Sequence, residues 1–396
     1  MTNVRQILSG SLLIAGCAIG AGMLGIPLIT QAVGFLPAMV ITSAVWLFMM
    51  LTGLLFLEAT LWMPAHANVL SMTERFLGKK GKIFSGALFL FLYYCLMVAY
   101  FSAGTPLFSS FLTLGGVAHI PEFMLHFLYG GLFFLIVGAG LKWIDRVNYL
   151  LMVGLIASYV GFLAVGAPGV ETKQLMGQNW GGVLWATPIL FSAFGFHNVI
   201  PSLTTHFQSK GKVMRLSIFW GTLLTLIVYA LWQWLILGSV PDDLLQESLQ
   251  KGEPVTSALV RLTGHQWIMS LGGAFSFFAI VTSMLGVSFS LVDFLGDGLK
   301  MKREGRDRWI LCAATFLPPL FINMWNPSLF LLAIGIAGGF GEAFLNGILP
   351  VWLVWKGRYS HHLPSEVSLG GKMLLLILLA AGLLVMCTEL LALMRR

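Results

Sequence analysis

Charged side chains are scarce in this sequence. Asp, Glu, Lys and Arg make up only 10 % of its 396 residues, whereas a soluble domain carries about 25 %. Hydrophobic residues make up 58 %, and the mean hydropathy is +0.87. This composition predicts a polytopic membrane protein that lies in the lipid bilayer. The formal charge of +7 does not indicate a nucleic-acid partner, because the charges fall in short loops between apolar segments.

Paired cysteines and catalytic motifs are also lacking. The four cysteines lie singly in apolar segments, so they support neither a disulfide framework nor a zinc site: Cys17, Cys95, Cys312 and Cys387. The sequence holds no HExxH pair and no nucleophile elbow, and no loop is long enough for a separate soluble domain. We therefore expect no enzyme, no metal and no cofactor. The first apolar segment is too long for a cleavable signal, and we expect it to be retained.

Eleven apolar segments are long enough to cross a bilayer as helices. They predict an all-α, polytopic membrane protein whose single transporter domain covers residues 1–396. The predicted spans are 7–31, 36–63, 83–112, 123–141, 147–165, 183–203, 216–237, 267–295, 309–324, 328–355 and 373–394.

Basic residues concentrate in alternate loops of this arrangement. With a cytoplasmic N-terminus, 18 of the 23 Lys and Arg face the inside and 5 face the outside, as the positive-inside rule requires. The odd number of spans places the C-terminus outside. Two loops, 66–80 and 239–266, are either plain connectors or short amphipathic helices, the first at the inner surface and the second over the outer mouth.

The first span contains four glycines and a proline between Gly16 and Pro27. These residues weaken a helix, and irregular backbone at membrane depth is tolerated only where it is buried in protein or lines a polar cavity. The pattern indicates a helix broken at membrane depth, where transporters bind substrate. Close helix packing through Gly16 and Gly20 is the alternative.

The sixth span has a second break, around Gly195, Asn198 and Pro201, with His197 beside it. The two breaks are five spans apart, so the two halves enter the membrane from opposite sides. This predicts inverted repeats at about 7–165 and 183–355, with an extra helix at about 373–394. Such pairs indicate a secondary transporter with a central site, where helix ends offer N–H groups to a carboxylate and carbonyls to an ammonium or cation.

Motifs at both breaks resemble the bacterial aromatic amino acid permeases, with the tyrosine-specific members nearest. The matching residues are Gly20–Met23 with Pro27, Ser192–His197 with Pro201 and Ser202, Leu285–Val287 with Asp293 and Asp297, Glu58, Tyr94, Tyr100 and Gly238–Val240. The resemblance covers nearly the whole chain. It implies an eleven-helix, 5+5 inverted-repeat amino acid transporter with broken helices 1 and 6, in the bacterial inner membrane. The chain departs from the family at Cys17-Ala18, where many members have Thr-Thr or Thr-Ile, and at Asn198, where many have Gly.

The breaks and the resemblance together give a predicted substrate-binding set. It comprises Ala18, Gly20, Ala21, Gly22, Met23, Tyr94, Tyr100, Phe194, Gly195, Phe196, His197 and Asn198. The tyrosines offer a hydroxyl or a ring, and Phe194 and Phe196 flank the second break. His197 is either a proton carrier or substrate contact, or a structural residue that caps freed carbonyls.

Acids and hydroxyls inside the spans form a second predicted set, for ion coupling or gating: His197, Thr282, Ser283, Asp293, Asp297 and Glu342. Intramembrane carboxyls are expensive and usually functional. Asp297 is expected to pair with Lys or Arg of the adjacent loops, and Asp293 either does so or exchanges protons. Thr282 and Ser283 ligate a cation or bond back to their own helix. Glu58 and Glu389 are expected to snorkel to the interface.

The sequence thus predicts a proton symporter that imports an aromatic amino acid, tyrosine being the expected substrate, by alternating access. By analogy with the fold, spans 1, 2, 6 and 7 would rock against the rest. Alternatives are a tryptophan-preferring or broader aromatic permease, a sodium-coupled transporter of the same fold, a channel and, last, a membrane-embedded enzyme.

Overall fold

The computed structural model describes residues 3–64, 67–114, 116, 120–207, 210–261, 266–365, 367 and 369–395. All regular structure in these ranges is helical, which confirms the predicted class. The α-helices are α1 (Asn3–Ala18), α2 (Ile26–Thr30), α3 (Phe35–Leu61), α4 (Val69–Leu114), α5 (Glu122–Gly138), α6 (Leu141–Gly166), α7 (Thr172–Leu175), α8 (Thr187–Ala193), α9 (Ile200–His206), α10 (Gly211–Ser239), α11 (Asp242–Gln250), α12 (Val255–Arg261), α13 (Gln266–Leu299), α14 (Gly305–Trp325), α15 (Phe330–Ile336), α16 (Leu349–Trp355) and α17 (Lys372–Met394).

Within the described residues, eight helices are long and apolar enough to cross a membrane, or nine if the bent pair at the N-terminus is one span. Of the other two predicted spans, α5 is an apolar helix of only 17 residues. The second, α14, has 21 residues and carries Arg306, Asp307 and Arg308 at its start. The structure is therefore that of a polytopic membrane protein, while the count of eleven spans and the inverted repeat stay predictions.

Both predicted helix breaks are present. The first helix, α1, ends at Ala18, Gly20 is extended (φ −164°, ψ −152°), and a 3-10 turn over Ala21–Leu24 leads into α2. The segments Asn3–Ala18 and Ala21–Val33 are bent by 49°. The second break separates α8 from α9 by a 3-10 turn over His197–Val199. Pro27 and Pro201 sit in the first turns of α2 and α9, where the missing N–H would be unsatisfied in any case.

Two predicted loop helices are also present. Glycine 78 interrupts α4 with a positive φ of 74°, a conformation that favours glycine, and so separates a short helix at 69–77 from the long span that follows. The outer loop forms α11, which packs on α2, and α12. His66 and Leu262, which belong to these two predicted segments, lie outside the described residues.

The expectation that Glu58 and Glu389 snorkel to the interface is wrong. Glu58 is fully buried, and its carboxylate pairs with Arg358 at 2.6 Å. Arg358, which follows α16, also donates to the carbonyls of Leu369 and Gly370. Glu389 is 4 % exposed and packs beside Gly335 and Gly339. The Glu58–Arg358 ion pair therefore joins α3 to the segment between α16 and α17.

Replacing Arg358 with glutamine should destabilise the fold by about 3–5 kcal/mol, because Glu58 would keep a buried, uncompensated charge. The exposed pair Lys82–Glu74, also 2.6 Å apart, provides the control: Lys82→Gln should change stability by less than about 1 kcal/mol. Thermal unfolding of the purified protein in detergent measures both. Equal, small shifts for the two variants would show that the buried pair does not hold α3 in place.

Candidate functional site

The two broken segments meet each other in the centre of the molecule. A Cβ built on Gly22 would lie 2.7 Å from Cα of Ala193, so backbone touches backbone at this crossing. The hydroxyl of Tyr229, a fully buried residue of α10, lies 2.7 Å from the carbonyls of both Ala18 and Ala193. These are carbonyls at the C-terminal ends of α1 and α8, where helices lack internal partners. Tyr229 thus ties the two breaks together.

A cavity of about 90 Å³ opens at this crossing. Ten of the residues predicted for the two site sets line it: Ala18, Gly20, Ala21, Gly22, Tyr100, Gly195, His197, Asn198, Ser283 and Glu342. They come from α1 and its break, α4, the second break, α13 and the segment after α15. The structure therefore brings together residues that are up to 324 positions apart, counting from Ala18 to Glu342.

Polar contacts fix the walls at the first break. The Ser283 hydroxyl accepts the Ala21 N–H at 3.2 Å, which anchors the 3-10 turn to α13. The Cys17 thiol lies 3.5 Å from Oδ1 of Asn198. Cys17 and Asn198 are therefore direct neighbours, one from each break.

His197 is held from one side only. Its Nε2 lies 3.0 Å from the Thr52 hydroxyl, and that hydroxyl also lies 3.1 Å from the Phe48 carbonyl. The carbonyl attracts the hydroxyl proton, so this arrangement favours a proton on Nε2 of the ring. The other ring nitrogen, Nδ1, is buried without a hydrogen-bond partner in the described structure.

Glu342 reaches the second break from the opposite wall. It lies in a π-helical stretch, Ala337–Ile348, a backbone form that is frequent at functional sites. Its side chain is 6 % exposed and accepts a hydrogen bond from Asn346. A Cβ on Gly195 would lie 2.8 Å from Oε1 of Glu342. Only a glycine at position 195 lets the carboxyl group approach the break so closely.

A second cavity, of about 560 Å³, adjoins the first. Four residues line both: Val69, Phe89, Tyr93 and Asn198. The predicted residues Asp293 and Asp297 line this second cavity, not the first. Arg303 contacts Asp297 at 2.5 Å and Asp293 at 3.4 Å, which confirms the expected pairing of Asp297 with a loop cation.

Comparison with known proteins decides the family. The tryptophan/tyrosine permease family matches residues 3–389. The chain belongs to this family. It is 32 % identical over 390 residues to a tyrosine-specific transport system 1 of Haemophilus influenzae, covering 96 % of each chain. It is 29 % identical over 394 residues to a tryptophan-specific transport protein of the same organism, covering 96 % of this chain and 94 % of that one.

A third relative is the low affinity tryptophan permease of Escherichia coli, 27 % identical over 392 residues, with 95 % of this chain and 93 % of that one covered. The relatives are named as transport systems and permeases, so this chain is a permease and not an enzyme. As a multi-pass member of a bacterial permease family, it belongs to the inner membrane.

Besides Asp293 and Asp297, five predicted residues of the permease do not line the central cavity. The Tyr94 hydroxyl donates to the Ala314 carbonyl at 2.7 Å, which turns this ring toward α14. Thr282 donates to the Phe278 carbonyl of its own helix at 2.8 Å. Met23 is fully buried, and its carbonyl accepts the Trp232 N–H at 3.0 Å.

The two phenylalanines pack behind the wall of the cavity. The Phe194 ring contacts Tyr229 edge-on, with 5.0 Å between centroids. The Phe196 ring lies 4.7 Å from that of His197. Both are buried. Phe196 therefore supports His197, which lines the cavity, and Phe194 supports Tyr229, which contacts both breaks. Substrate contact by Met23, Tyr94, Phe194 and Phe196 stays a prediction, as does ion coupling by Thr282.

The cavity also contains residues that the sequence reasoning missed, chiefly Tyr93, Ser192 and Asn346. Tyr93 shared a detectable signal with Tyr100, since residues seven apart lie on one face of a helix. Asn346 is four residues after Glu342, the spacing of side-chain neighbours on a helix. Ser192 had a signal of another kind, since it is the first residue of the Ser192–His197 motif at the second break.

Cys17 alone among the four cysteines, all within the described ranges, lines the central cavity. A small membrane-permeant maleimide should therefore modify Cys17 more readily than Cys312, which is buried. Peptide mass spectrometry after brief labelling measures both sites in one sample. Labelling of Cys312 before Cys17 would contradict an accessible cavity at the first break.

Proposed function

We propose that this permease imports an aromatic amino acid, tyrosine being the expected substrate, by proton symport with alternating access. The observation that carries the proposal is that both helix breaks and one buried acid, Glu342, meet at a single cavity. The names of the relatives, which specify tyrosine or tryptophan, support the substrate class.

The main chain of the substrate would bind at the two breaks. Helix C-termini carry partial negative charge and helix N-termini partial positive charge. The substrate ammonium would thus face the carbonyl end of α1 near Ala18, and its carboxylate the turn that begins at Ala21. Ser283 already holds the Ala21 N–H, so it positions this turn for the carboxylate.

The aromatic side chain of the substrate would lie between Tyr93, Tyr100 and Phe56, which all line the cavity. Ser192 and Asn198 add polar groups that can meet a phenolic hydroxyl. At about 90 Å³, the cavity is below the roughly 300–1,000 Å³ typical of ligand pockets. Binding would therefore require the walls to move apart, as alternating access does.

Glu342 is the proposed proton carrier, because it is the only carboxylic acid among the described residues that line this cavity. Carrying an uncompensated charge across the bilayer interior is expensive. A protonated Glu342 would let the loaded site change its exposure, and release of the proton would follow release of the substrate. His197, which Thr52 holds in place, is the alternative carrier.

The moving unit would be α1, α2, α3, α8, α9 and α10. Contacts of α10 support this grouping, since Tyr229 touches both breaks and the buried Gln233 donates to Thr42 of α3 at 3.1 Å and lies 3.4 Å from the Thr30 hydroxyl of α2. With the N-terminus in the cytoplasm, the second cavity would open to the inside.

Sodium coupling is disfavoured because Thr282, one of the two hydroxyl residues predicted to ligate the cation, does not line the central cavity. The proposed function is tested by counterflow of labelled tyrosine in proteoliposomes. Tyrosine, tryptophan, phenylalanine and leucine are the competitors, and choline replaces sodium. We expect aromatic amino acids to compete, tyrosine best, without a need for sodium. Competition led by tryptophan would change the substrate, and loss of transport without sodium would overturn proton coupling.

A further inference from the structure

The second cavity, which we name the vestibule, contains both signs of charge beside an aromatic wall. Asp293, Asp297 and Arg303 line it together with Phe89 and Phe294. The Phe89 and Phe294 rings stack with 4.8 Å between centroids and 27° between planes. At about 560 Å³, the vestibule is within the range of roughly 300–1,000 Å³ found for small-molecule sites.

The charged groups do not lock the mouth of the vestibule. Both aspartates lie on α13, and Arg303 lies in the loop that directly follows this helix. Their ion pairs are therefore local and do not join α13 to α9, which also lines the vestibule with Ser202, Thr205 and His206. The charged side chains are partly exposed, by 42 % for Arg303, 32 % for Asp293 and 56 % for Asp297. Exposed pairs of this kind add little to stability, so their partners can be exchanged.

We propose that the vestibule is a second binding site for a zwitterionic aromatic amino acid. Its carboxylate would pair with the Arg303 guanidinium, whose planar shape suits bidentate recognition of a carboxylate. Its ammonium would pair with Asp293, which Arg303 contacts only at 3.4 Å. Its ring would pack against Phe294. The identity of this ligand rests on the proposed function, whereas its chemical class follows from the charges and rings of the vestibule.

The position of the vestibule gives this site a role in transport. Because Val69, Phe89, Tyr93 and Asn198 line both cavities, a molecule that leaves the central cavity by this route enters the vestibule next. The rings of Phe89 and Tyr93 lie with 4.3 Å between their centroids, so an aromatic cluster lines the route between the two cavities. The second site would hold the amino acid after it has left the breaks.

Equilibrium dialysis of the purified permease with labelled tyrosine tests this proposal. Wild-type protein should approach two bound molecules per chain, and both Arg303→Gln and Asp293→Asn should approach one. Arg306→Gln is the control. Arg306 is three residues after Arg303, is exposed and does not line the vestibule, so this variant loses the same charge but should still bind two molecules per chain. Tyrosinamide, which lacks the carboxylate, should not displace the fraction that depends on Arg303.

The outcomes separate this inference from the proposed function. One molecule per chain in wild type, or two in Arg303→Gln, would overturn the second site and leave the central site intact. Displacement of the Arg303-dependent fraction by tyrosinamide would overturn carboxylate recognition. Absence of saturable binding by tyrosine, tryptophan and phenylalanine would overturn the proposed substrate class together with the second site.

Discussion

Replacing Glu342 with glutamine should abolish proton-driven accumulation of tyrosine. One proton per substrate and an inside-alkaline gradient of one pH unit support about tenfold accumulation, and the variant should show none. Glutamine keeps the volume and a hydrogen-bonding oxygen for Asn346 but cannot bind and release the proton. Counterflow, which needs only binding and movement of the loaded site, should persist. Uptake and counterflow in the same proteoliposomes measure the two activities.

Glu389 provides a matched control for this variant. It is a second buried glutamate and packs against Gly335 and Gly339, but it does not line the central cavity. Glu389→Gln should therefore retain tyrosine accumulation. If Glu342→Gln still accumulates tyrosine against its gradient, another group carries the proton, and His197 becomes the residue to replace.

Replacing Gly22 with alanine should lower the transport rate by about fivefold to 150-fold, since overpacking of about 1–3 kcal/mol is expected at such a contact. The new Cβ would lie 2.7 Å from Cα of Ala193 and 3.1 Å from its Cβ. Backbone of α8 has no flexible end that can move aside, so the two breaks would separate. Counterflow of labelled tyrosine measures the effect, with the amount of folded protein checked by size-exclusion chromatography.

Gly286→Ala is the control for this substitution. Gly286 lies in α13, one turn from Ser283, and nothing lies within 4 Å of a Cβ at this position. Alanine is favoured over glycine in a helix, so transport should be unchanged. If Gly22→Ala transports as well as Gly286→Ala, close contact between the breaks is not required for transport.

The two breaks were predictable because their causes are local in the sequence. Gly20 and Gly22 weaken the helix where they stand, and Pro27 and Pro201 restart it within a few residues. The spacing of apolar residues in the outer loop likewise indicated α11 and α12, although it left a plain connector as an equal alternative.

Features that depend on distant partners were harder to predict. Glu58 looked interfacial because Arg358, its partner, is 300 residues away in the sequence. Tyr94 was selected from the sequence and Tyr93 was not. Adjacent side chains point about 100° apart on a helix, so the two tyrosines face different directions. Only packing against α14, through the Ala314 carbonyl, decides which of the two faces the cavity.

The central claim, that an aromatic amino acid and a proton move together, is tested most directly by following the proton. The permease would be reconstituted in sodium-free proteoliposomes with a pH-sensitive dye in the lumen and no imposed gradient. Tyrosine added outside the vesicles should acidify the lumen with the wild-type protein and with Glu389→Gln, but not with Glu342→Gln. Tyrosine uptake without acidification in wild type, or uptake that appears only when sodium is added, would contradict proton symport.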